Sequence, residues 1–390
     1  MSTITPGQDL FPRGKTAVVG AATHGIGEMP GFDAIDLAAQ AAIKALGQAG
    51  LTPADVDGVF IGLPQDFLSG LSFSEYLGIR PKVTDNNRTG GSAFITHMFW
   101  AAHALMTGQC NVALVAYGSN QRSGAGKLVS SHTIPFFEAA YKPLMPVSAY
   151  ALAASRHMHQ YGTTREQLAS VAVAARAWAG LNPEAFMRDP ITVEEVLGAR
   201  MVADPLTVRD CCLVTDGAAA IVMTRADQAR DLCATPAYLL GAAAATHHMN
   251  ISAMPDLTLT AAAESGARAF AQAAVKPAEI DVVELYDAFT INTLLFLEDL
   301  GFCPKGEGGR FVQDGRIAPG GALPVNTNGG GLSCVHPGMY SLFCVVEAVQ
   351  QLMGQAGARQ VQGARLALAH GNGGVLSSQV TAILGTAETL

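Results

Sequence analysis

Apolar and polar positions follow two patterns that alternate along this chain. Short, nearly continuous apolar runs at residues 15–21, 58–62 and 111–117 end at turn residues, and such runs are typical of strands buried on both faces of a parallel sheet. Between them, apolar residues recur at three- and four-residue spacing over residues 32–49 and 94–105, which predicts amphipathic helices. Because strand and helix patterns alternate, the sequence predicts an α/β fold.

The second half of the chain repeats the first. Residues 275–283 (VKPAEIDVV) echo residues 51–59 (LTPADVDGV). In each half a glycine-rich turn, at residues 88–91 or 328–331, precedes an apolar helix. A duplicated βαβ-type unit explains both observations.

This duplication predicts two halves, residues 1–225 and 226–390. About residues 118–210 of the first half have polar loops and extra helices, so they form an excursion from its sheet that we expect to cover the site. Loops that follow the strands should converge on one site, as they usually do at the carboxyl ends of strands in α/β proteins.

Candidate chemistry lies after the second glycine-rich turn. His336-Pro337-Gly338 follows the glycines, and the apolar helix predicted over residues 340–353 begins with Tyr340. An imidazole and a phenol are therefore placed where a loop enters a helix N-terminus, a position that favours anions and oxyanions.

Composition narrows the function classes. The 390 residues are 49% hydrophobic and 14% charged, with a net charge of −8, which argues against a surface for nucleic acid or anionic membrane. We find no apolar segment near the ~20 residues needed to span a bilayer and no signal-peptide pattern at the start, so we expect a cytoplasmic protein without membrane insertion. The seven cysteines are odd in number and lack a C-x-x-C pair, which predicts reduced thiols and no metal site.

Four motifs stand out along the chain. They are DGAA at 216–219, ELYDAFT at 284–290, NGGG at 328–331 with His336-Pro337-Gly338, and HGNGG at 370–374. Together with the duplication, they resemble the thiolase superfamily over nearly the full chain, and most closely its lipid-transfer-protein branch, which is related to the thiolase part of sterol carrier protein. The resemblance implies a layered α/β/α/β/α fold, an acyl-CoA substrate and a homodimer.

The chain departs from thiolases at their reactive positions. Thiolases carry an acyl-accepting cysteine at the start of the first central helix, a position that falls within one residue of Asn87, yet the first cysteine here is Cys110. Tyr286 stands where thiolases have Asn or His, and His370 stands where they have a second cysteine, so His336 alone is retained. Because Claisen chemistry needs a thiolate, the resemblance supports the fold and argues against the parent reaction.

A retro-aldol cleavage of a β-hydroxyacyl-CoA suits the residues that remain, because it needs acid–base groups and no covalent intermediate. Some members of the resembled branch are aldolases that shorten steroid side chains held as CoA thioesters. We therefore expect a carbon–carbon lyase with coenzyme A as part of the substrate and no permanently bound cofactor. The catalytic candidates are Tyr286, Tyr340, His336 and His370, and the substrate-binding candidates are Asn87, Gly90, Gly330, Gly331, Asn372 and Gly373.

Each candidate also has a structural alternative. The tyrosines could be buried packing residues, and His336 and His370 could hold loop backbone. Asp287 is better explained as the N-cap of a helix over residues 289–300 than as a catalytic group. Three cations could meet CoA phosphates or could simply lie at the surface, namely Arg122, Lys127 and Arg156.

Two other functions stay open. One is a thiolase-type acyltransferase with an unexpected nucleophile such as Cys334, although a small buried core residue is the simpler interpretation of that cysteine. The other is a non-catalytic acyl-CoA or lipid-binding scaffold. The resemblance also implies a small OB-fold partner protein with a zinc ribbon, since this chain has no C-x-x-C pair and no region of its own that resembles one.

Overall fold

The protein is described by a computed structural model that covers residues 11–125 and 134–390. Nine of its strands form one mixed sheet and two form a small separate ribbon. The strands are β1 Thr16–Gly27, β2 Gly58–Gly62, β3 Val83–Asp85, β4 Val112–Ser119, β5 Met201–Ala203, β6 Leu206–Thr207, β7 Asp216–Arg225, β8 Ala237–Thr246, β9 Val282–Leu285, β10 Leu366–Gly373 and β11 Ser378–Gly385.

The order of strands in the large sheet shows the duplication. The order is β3-β2-β4-β7-β1-β8-β11-β10-β9, which reads the same from either side of the β1–β8 contact once β3 is set aside. Strands β2 and β4 are parallel, as are β9 and β10, while β7 and β11 run antiparallel to β4 and β10. The two halves are joined at β1 and β8 through the pairs Ala17–Tyr238 and Val18–Ala237.

The helices complete a layered arrangement. Helix α3 packs on strands of both halves, and so does α12, whereas α1 packs on the first half and α9 on the second. The helices are α1 Ala34–Gln48, α2 Ser69–Leu77, α3 Ala93–Met106, α4 Phe136–Ala139, α5 Val147–Tyr161, α6 Arg165–Leu181, α7 Val193–Leu197, α8 Ala226–Leu232, α9 Ala262–Ala273, α10 Thr290–Asp299, α11 Gly308–Phe311 and α12 Ser341–Leu352.

Helices α3 and α12 are central because their sequences are apolar on most sides. Nearly every residue of α12 is buried, as are most residues of α3, and a helix that is apolar all round belongs in an interior layer. Their N-termini lie on the same side of the molecule, next to the two glycine-rich turns. The α/β layered fold predicted from the sequence is confirmed.

Hydrogen bonds to side chains mark both ends of α6. The helix begins with a capping box of Thr164 and Gln167. The chain turns after the helix at Asn182, whose side chain donates to the Asn328 carbonyl oxygen. In the part of the chain that the structure describes, no helix is long and apolar enough to cross a membrane.

Candidate functional site

Three aromatic side chains form a cluster where the two central helices begin, and we call Tyr286, His336 and Tyr340 the aromatic cluster. Tyr286 follows β9, His336 follows the π turn Gly330–Cys334, and Tyr340 is the N-cap residue of α12. The Tyr286 ring centroid lies 5.4 Å from His336 and 5.6 Å from Tyr340, edge-on to both, while His336 and Tyr340 are stacked at 5.9 Å. Three residues selected from the sequence therefore meet in space.

Tyr286 reaches the start of α3 because residue 91 has no side chain. A Cβ added at Gly91 would lie 2.5 Å from the Cζ atom of Tyr286, which is far inside van der Waals contact. The phenol of Tyr286 thus fills the space that a side chain would occupy at the entrance to the first central helix. Sequence reasoning missed the role of Gly91, since an absent side chain leaves no chemical signal.

The glycine-rich turn at residues 88–91 is in direct contact with the glycines at residues 373–374, near the end of the chain. A Cβ at Gly90 would lie 2.7 Å from the backbone nitrogen of Gly374 and 3.0 Å from the Cα of Gly373. Gly90 has a φ of +76°, a left-handed conformation that favours glycine. The contact of Gly90 with Gly373 joins the helix start of one half to the last turn of the other, while their role in substrate binding stays a prediction.

Gly330 and Gly331 lie against Asp287 rather than in an open loop. The backbone N–H of Gly331 donates to Oδ1 of Asp287 at 2.6 Å, and a Cβ at Gly330 would lie 2.9 Å from the Asp287 carboxyl carbon. The predicted role of Asp287 as a helix N-cap is wrong, because Phe289 is the N-cap of α10. Asp287 instead fixes the turn that leads to His336, and burial raises the pKa of its carboxyl to about 7.

The groups of the aromatic cluster are neutral near pH 7. Burial raises the pKa values of Tyr286 and Tyr340 well above their ordinary value, so both phenols keep their protons. Burial lowers the pKa of His336 to about 4, and its imidazole is therefore uncharged. These are hydrogen-bond donors and acceptors held in an environment of low polarity, where they act strongly on a developing charge.

Two of the three polar groups have partners within the protein. The Tyr340 hydroxyl donates to Oδ1 of Asn328 at 3.0 Å, and the Tyr286 hydroxyl donates to the Gly338 carbonyl oxygen at 3.3 Å, which is a long hydrogen bond. Nε2 of His336 is buried and has no hydrogen-bond partner among the described residues. The free Nε2 and the weakly held Tyr286 hydroxyl are the groups best prepared to meet a substrate.

His370 does not join the aromatic cluster. Successive side chains of a strand point to opposite faces, and on β10 it is position 371 that faces the helix starts, since a Cβ at Gly371 would lie 3.1 Å from the Cα of Ser92. His370 points to the other face, where its ring nitrogens are bonded to Thr381 and Gln379 at 2.9 Å each. The structure therefore corrects its assignment as a catalytic group.

Asn87 also lies elsewhere. Its side-chain Nδ2 donates to Asp85 at 2.6 Å, and its carbonyl oxygen is bonded to the buried His97 at 3.0 Å, so these contacts tie it to the edge of the first half. Asn372, by contrast, faces the phenol of Tyr150 and donates to it at 2.9 Å.

Two of the three candidate cations, Arg122 and Arg156, are bonded within the protein, and Arg156 also lines a cavity beside α5. The guanidinium of Arg122 bonds Glu28 and the Val214 carbonyl oxygen, and Arg156 bonds Gln160 on its own helix. Lys127 lies outside the described residues.

Cys334 and Cys110 are not prepared for nucleophilic chemistry. Cys334 is 1% exposed, and its sulfur accepts a hydrogen bond from Nδ2 of Asn182 at 3.5 Å. Burial raises the pKa of the Cys334 thiol well above its ordinary value, and it raises that of Cys110, the first cysteine of the chain, to about 12. Both are protonated thiols near pH 7.

Two further tyrosines border the aromatic cluster, and sequence reasoning missed both. Tyr117 near the end of β4 bonds the carbonyl oxygen of Pro337 and accepts from the N–H of Met339 at 3.2 Å, which holds the turn after His336. Tyr150 of α5 is close enough to Tyr286 to add to the rise in the pKa of the Tyr286 phenol, after the larger effect of burial. Tyr117 could have been found as a polar residue at the carboxyl end of a predicted strand, whereas Tyr150 comes from the excursion and carries no such signal.

Comparisons with known proteins agree with this geometry. A family model described as thiolase C-terminal domain-like matches residues 243–386. Acetyl-CoA acetyltransferase of Methanothermobacter thermautotrophicus is 35% identical over 92% of this chain and 96% of that protein. The 17-hydroxy-3-oxo-4-pregnene-20-carboxyl-CoA lyase of Mycobacterium tuberculosis is 34% identical over 87% of this chain and 92% of that protein. A solved structure described as the Ltp2-ChsH2(DUF35) aldolase matches with a TM-score of 0.85 and 32% identity, covering 96% of this chain and 98% of that chain.

Proposed function

The chain belongs to the thiolase superfamily, and we propose that it is a carbon–carbon lyase that cleaves a β-hydroxyacyl-CoA by a retro-aldol reaction. The observation that carries the proposal is the phenol of Tyr286, which lies against Gly91 at the start of the first central helix. Lyase and aldolase relatives that align along nearly the whole chain support the same activity.

The reaction needs two kinds of group, and the aromatic cluster offers both. A base accepts the proton of the β-hydroxyl while the bond between the α and β carbons breaks. The bonding electrons form the enolate of the CoA thioester, and the β carbon leaves as a ketone or aldehyde. A donor then protonates the α carbon, which gives the shortened acyl-CoA.

We assign the base to His336 and the donors to the phenols. Nε2 of His336 is buried, neutral and free of partners among the described residues, so it is available to accept a proton. Tyr286 and Tyr340 stay protonated, and they can donate to the thioester oxygen as it becomes an enolate. Because a charged imidazolium is unfavourable in this buried place, we expect proton transfer and bond cleavage to be concerted.

A cavity beside α5 has room for a large apolar acyl group, although no residue of the aromatic cluster lines it. This cavity of about 870 Å³ lies on the outer side of α5, lined mainly by apolar side chains that include Met145, Leu152, Met254 and Leu257. This volume is in the range of sites for drug-sized ligands. The steroid lyase relative supports an acyl group of this kind, with coenzyme A as the other part of the substrate.

The activity can be tested with purified protein and a panel of β-hydroxyacyl-CoA esters, steroidal and straight-chain. Formation of a ketone or aldehyde together with the shortened acyl-CoA supports the proposal, and its loss in Tyr286→Phe assigns it to this site. If no ester of the panel is cleaved while CoA esters still bind, the protein is a non-catalytic scaffold and the proposal fails.

The acetyltransferase relative favours one alternative, a thiolase-type acyltransferase. This activity would need a nucleophile such as Cys334, whose burial and raised thiol pKa oppose it. An acyl-enzyme detected by mass spectrometry and abolished by Cys334→Ala would establish it.

Partner chains are part of the proposal. A homodimer is supported by the exposed edge strand β3 and by large exposed apolar side chains near it, which include Phe67, Leu68 and Leu71. A partner protein is supported by the solved aldolase, whose description pairs Ltp2 with ChsH2(DUF35). We propose that the partner of this chain is a small OB-fold protein with a zinc ribbon. Co-expression with such a partner and size-exclusion chromatography is the test, and full activity of a lone homodimer would rule out the need for it.

A further inference from the structure

Two buried glutamates meet at one threonine behind the aromatic cluster, and the reaction described above uses none of the three. The Thr327 hydroxyl lies 2.8 Å from Oε1 of Glu284, on β9, and 2.7 Å from Oε1 of Glu347, on α12. All three residues are 2% exposed or less. Two carboxyl groups that share a buried place are costly to ionise together, so the protons they hold decide how the contact works.

The hydrogen bonds of Thr327 require a proton on one of the glutamates. A threonine hydroxyl has one hydrogen, and Thr327 therefore donates to only one of the two carboxyl groups. The other carboxyl group has to donate to the Thr327 oxygen, which only a protonated carboxyl group is able to do. The remaining lone pair of that oxygen accepts from Nε2 of Gln351 at 3.0 Å. One of Glu284 and Glu347 is therefore a neutral acid.

The surroundings assign the proton to Glu284. Glu347 is paired with Arg359, whose Nε and Nη2 atoms each donate to one of its oxygens at 2.9 Å, and a guanidinium held in this way keeps a carboxylate charged. In the described part of the chain no cation is bonded to Glu284, whose partners are the backbone N–H and the hydroxyl of Thr327. Burial, and after it the nearby Glu347 carboxylate, raises the pKa of Glu284 well above its ordinary value. The chain of donors thus runs from Glu284 through Thr327 to Glu347.

Thr327 is next to the residue that holds the Tyr340 phenol. Oδ1 of Asn328 accepts from the Tyr340 hydroxyl at 3.0 Å and from the N–H of Gly330 at 2.7 Å. The position of Asn328 therefore sets where the phenol oxygen of Tyr340 lies. A shift of Thr327 would be passed to Asn328, since the two residues are joined by a peptide bond.

The same segment is fixed at its other end beside Tyr286. Asn326 has a φ of +53°, a left-handed conformation that asparagine tolerates but that its surroundings have to maintain. Its Oδ1 accepts from the N–H of Leu285, the residue before Tyr286, at 2.6 Å. The bonds from both the N–H and the hydroxyl of Thr327 to Glu284 hold the middle of the segment. Residues 326–328 thus connect the end of β9 to the Tyr340 phenol.

We propose that Glu284 is a positioning residue that stays protonated and, by donating to Thr327, fixes the segment 326–328 on which the place of the Tyr340 phenol depends. The inference rests on the proposed function for the reaction in which Tyr340 takes part. Glu284 acts through Thr327 and Asn328 and not on the reacting atoms. An ionised Glu284 would leave two carboxylates facing one hydroxyl hydrogen, which is repulsive in a buried place.

The protonation of Glu284 is measured without any reaction. In protein labelled with carbon-13 at the glutamate carboxyl carbons, the NMR resonance of Glu284 is the one that is missing from Glu284→Gln. We expect its position at pH 7 to be that of a protonated carboxyl group, while exposed glutamates such as Glu75 give the carboxylate reference. A Glu284 resonance at the carboxylate position overturns the proposal.

The link to Tyr340 has its own measurement. The chain has 8 tyrosines, so the Cζ resonance of Tyr340, which responds to the hydrogen bond of its hydroxyl, is assigned from its absence in Tyr340→Phe. Thr327→Val removes the shared hydroxyl with little change of shape and should move this resonance, whereas Thr327→Ser keeps the hydroxyl and should not. Thr293→Val is the matched control, because its hydroxyl is buried and makes no hydrogen bond to a described group, and it should leave the resonance in place.

Turnover shows what the position of Tyr340 contributes to the reaction. With a β-hydroxyacyl-CoA, Thr327→Val should lower kcat about tenfold with little change in KM, since a misplacement of about 1 Å costs about 100-fold and a smaller shift costs less. Thr327→Ser should restore most of the rate. Equal effects of the serine and valine variants on the Tyr340 resonance or on kcat overturn the proposal.

Two further variants keep the test decisive if Thr327→Val does not fold. Glu284→Met removes the donor to Thr327 and takes the place of the valine variant, and Glu284→Gln, whose amide still donates, takes the place of the serine variant. If the wild-type protein cleaves no ester, the proposed lyase activity fails, while the resonances of Glu284 and Tyr340 still decide whether Glu284 positions the phenol.

Discussion

The contact between Gly91 and Tyr286 makes a sharp prediction for Gly91→Ala. The added methyl would lie 2.5 Å from the Cζ atom of Tyr286, so that ring has to move by about 1 Å to restore an ordinary contact of about 3.5 Å. Overpacking of this kind costs about 1–3 kcal/mol. With an unfolding entropy of about 2.1 cal/mol/K per residue, a chain of 390 residues should then melt about 1–4 °C lower.

The effect on turnover should be larger than the effect on stability. A displacement of about 1 Å of a reacting group can cost about 100-fold in rate, so kcat should fall by about that factor while the protein remains folded. Thermal denaturation and steady-state cleavage of a β-hydroxyacyl-CoA measure the two quantities.

Two controls separate this contact from other effects of the substitution. Gly47→Ala in α1 adds the same methyl where nothing lies within 4 Å, and it should not lower the melting temperature. In the double variant Gly91→Ala/Tyr286→Ala, the added methyl has no ring to meet. The double variant should therefore melt close to the temperature of Tyr286→Ala alone. Additive losses in the double variant, or wild-type turnover in Gly91→Ala, would refute the reasoning.

Three other predictions concern the same site. Tyr286→Phe and Tyr340→Phe should each lower kcat by about 100-fold or more with little change in KM, because each removes a donor that acts on the developing enolate; Leu152→Ala, in the cavity, should change KM instead. Cys334→Ala should keep full turnover, and mass spectrometry should detect no acyl-enzyme in either form, since the Cys334 thiol has a raised pKa and remains protonated. Asp287 has a folded-state pKa of about 7, above its unfolded value, so its stabilising contribution is present at low pH and is lost as pH rises through about 7; the melting temperature of Asp287→Asn should fall less than that of the wild type between pH 5 and pH 8.

Much of the fold could be predicted from the sequence because its signals are periodic and repeated. The apolar run of β4 and the helical spacing of α12 are unambiguous, and the echo of residues 51–59 in residues 275–283 predicts two similar halves. The boundary between the halves at residue 225 stays a prediction. The short strands β3, β5 and β6 were missed, because two or three residues are too few to show a period.

The site was predicted in part, and the errors concern residues whose role depends on the three-dimensional fold around them. Tyr286, His336 and Tyr340 lie in turns at element ends, where chemistry-bearing residues are readily recognised. His370 was assigned a catalytic role from its position in a motif, but alternation along β10 turns its side chain to the opposite face. Gly91 was missed because its importance depends on Tyr286, a neighbour that is distant in sequence.

The strand order shows that α3 and α12 begin at corresponding places in the two halves, yet their starts are not alike. The first half has a glycine, without a side chain, at residue 91 beside the start of α3. The second half supplies the aromatic side chains that lie at the start of α12. If the halves descend from one ancestral unit, their sequences had to diverge before this arrangement could arise. Two identical copies would both have a glycine at this position, or both have aromatic side chains. Divergence after duplication would in that case be a condition for the chemistry, because one half lacks a side chain where the other half places an aromatic ring.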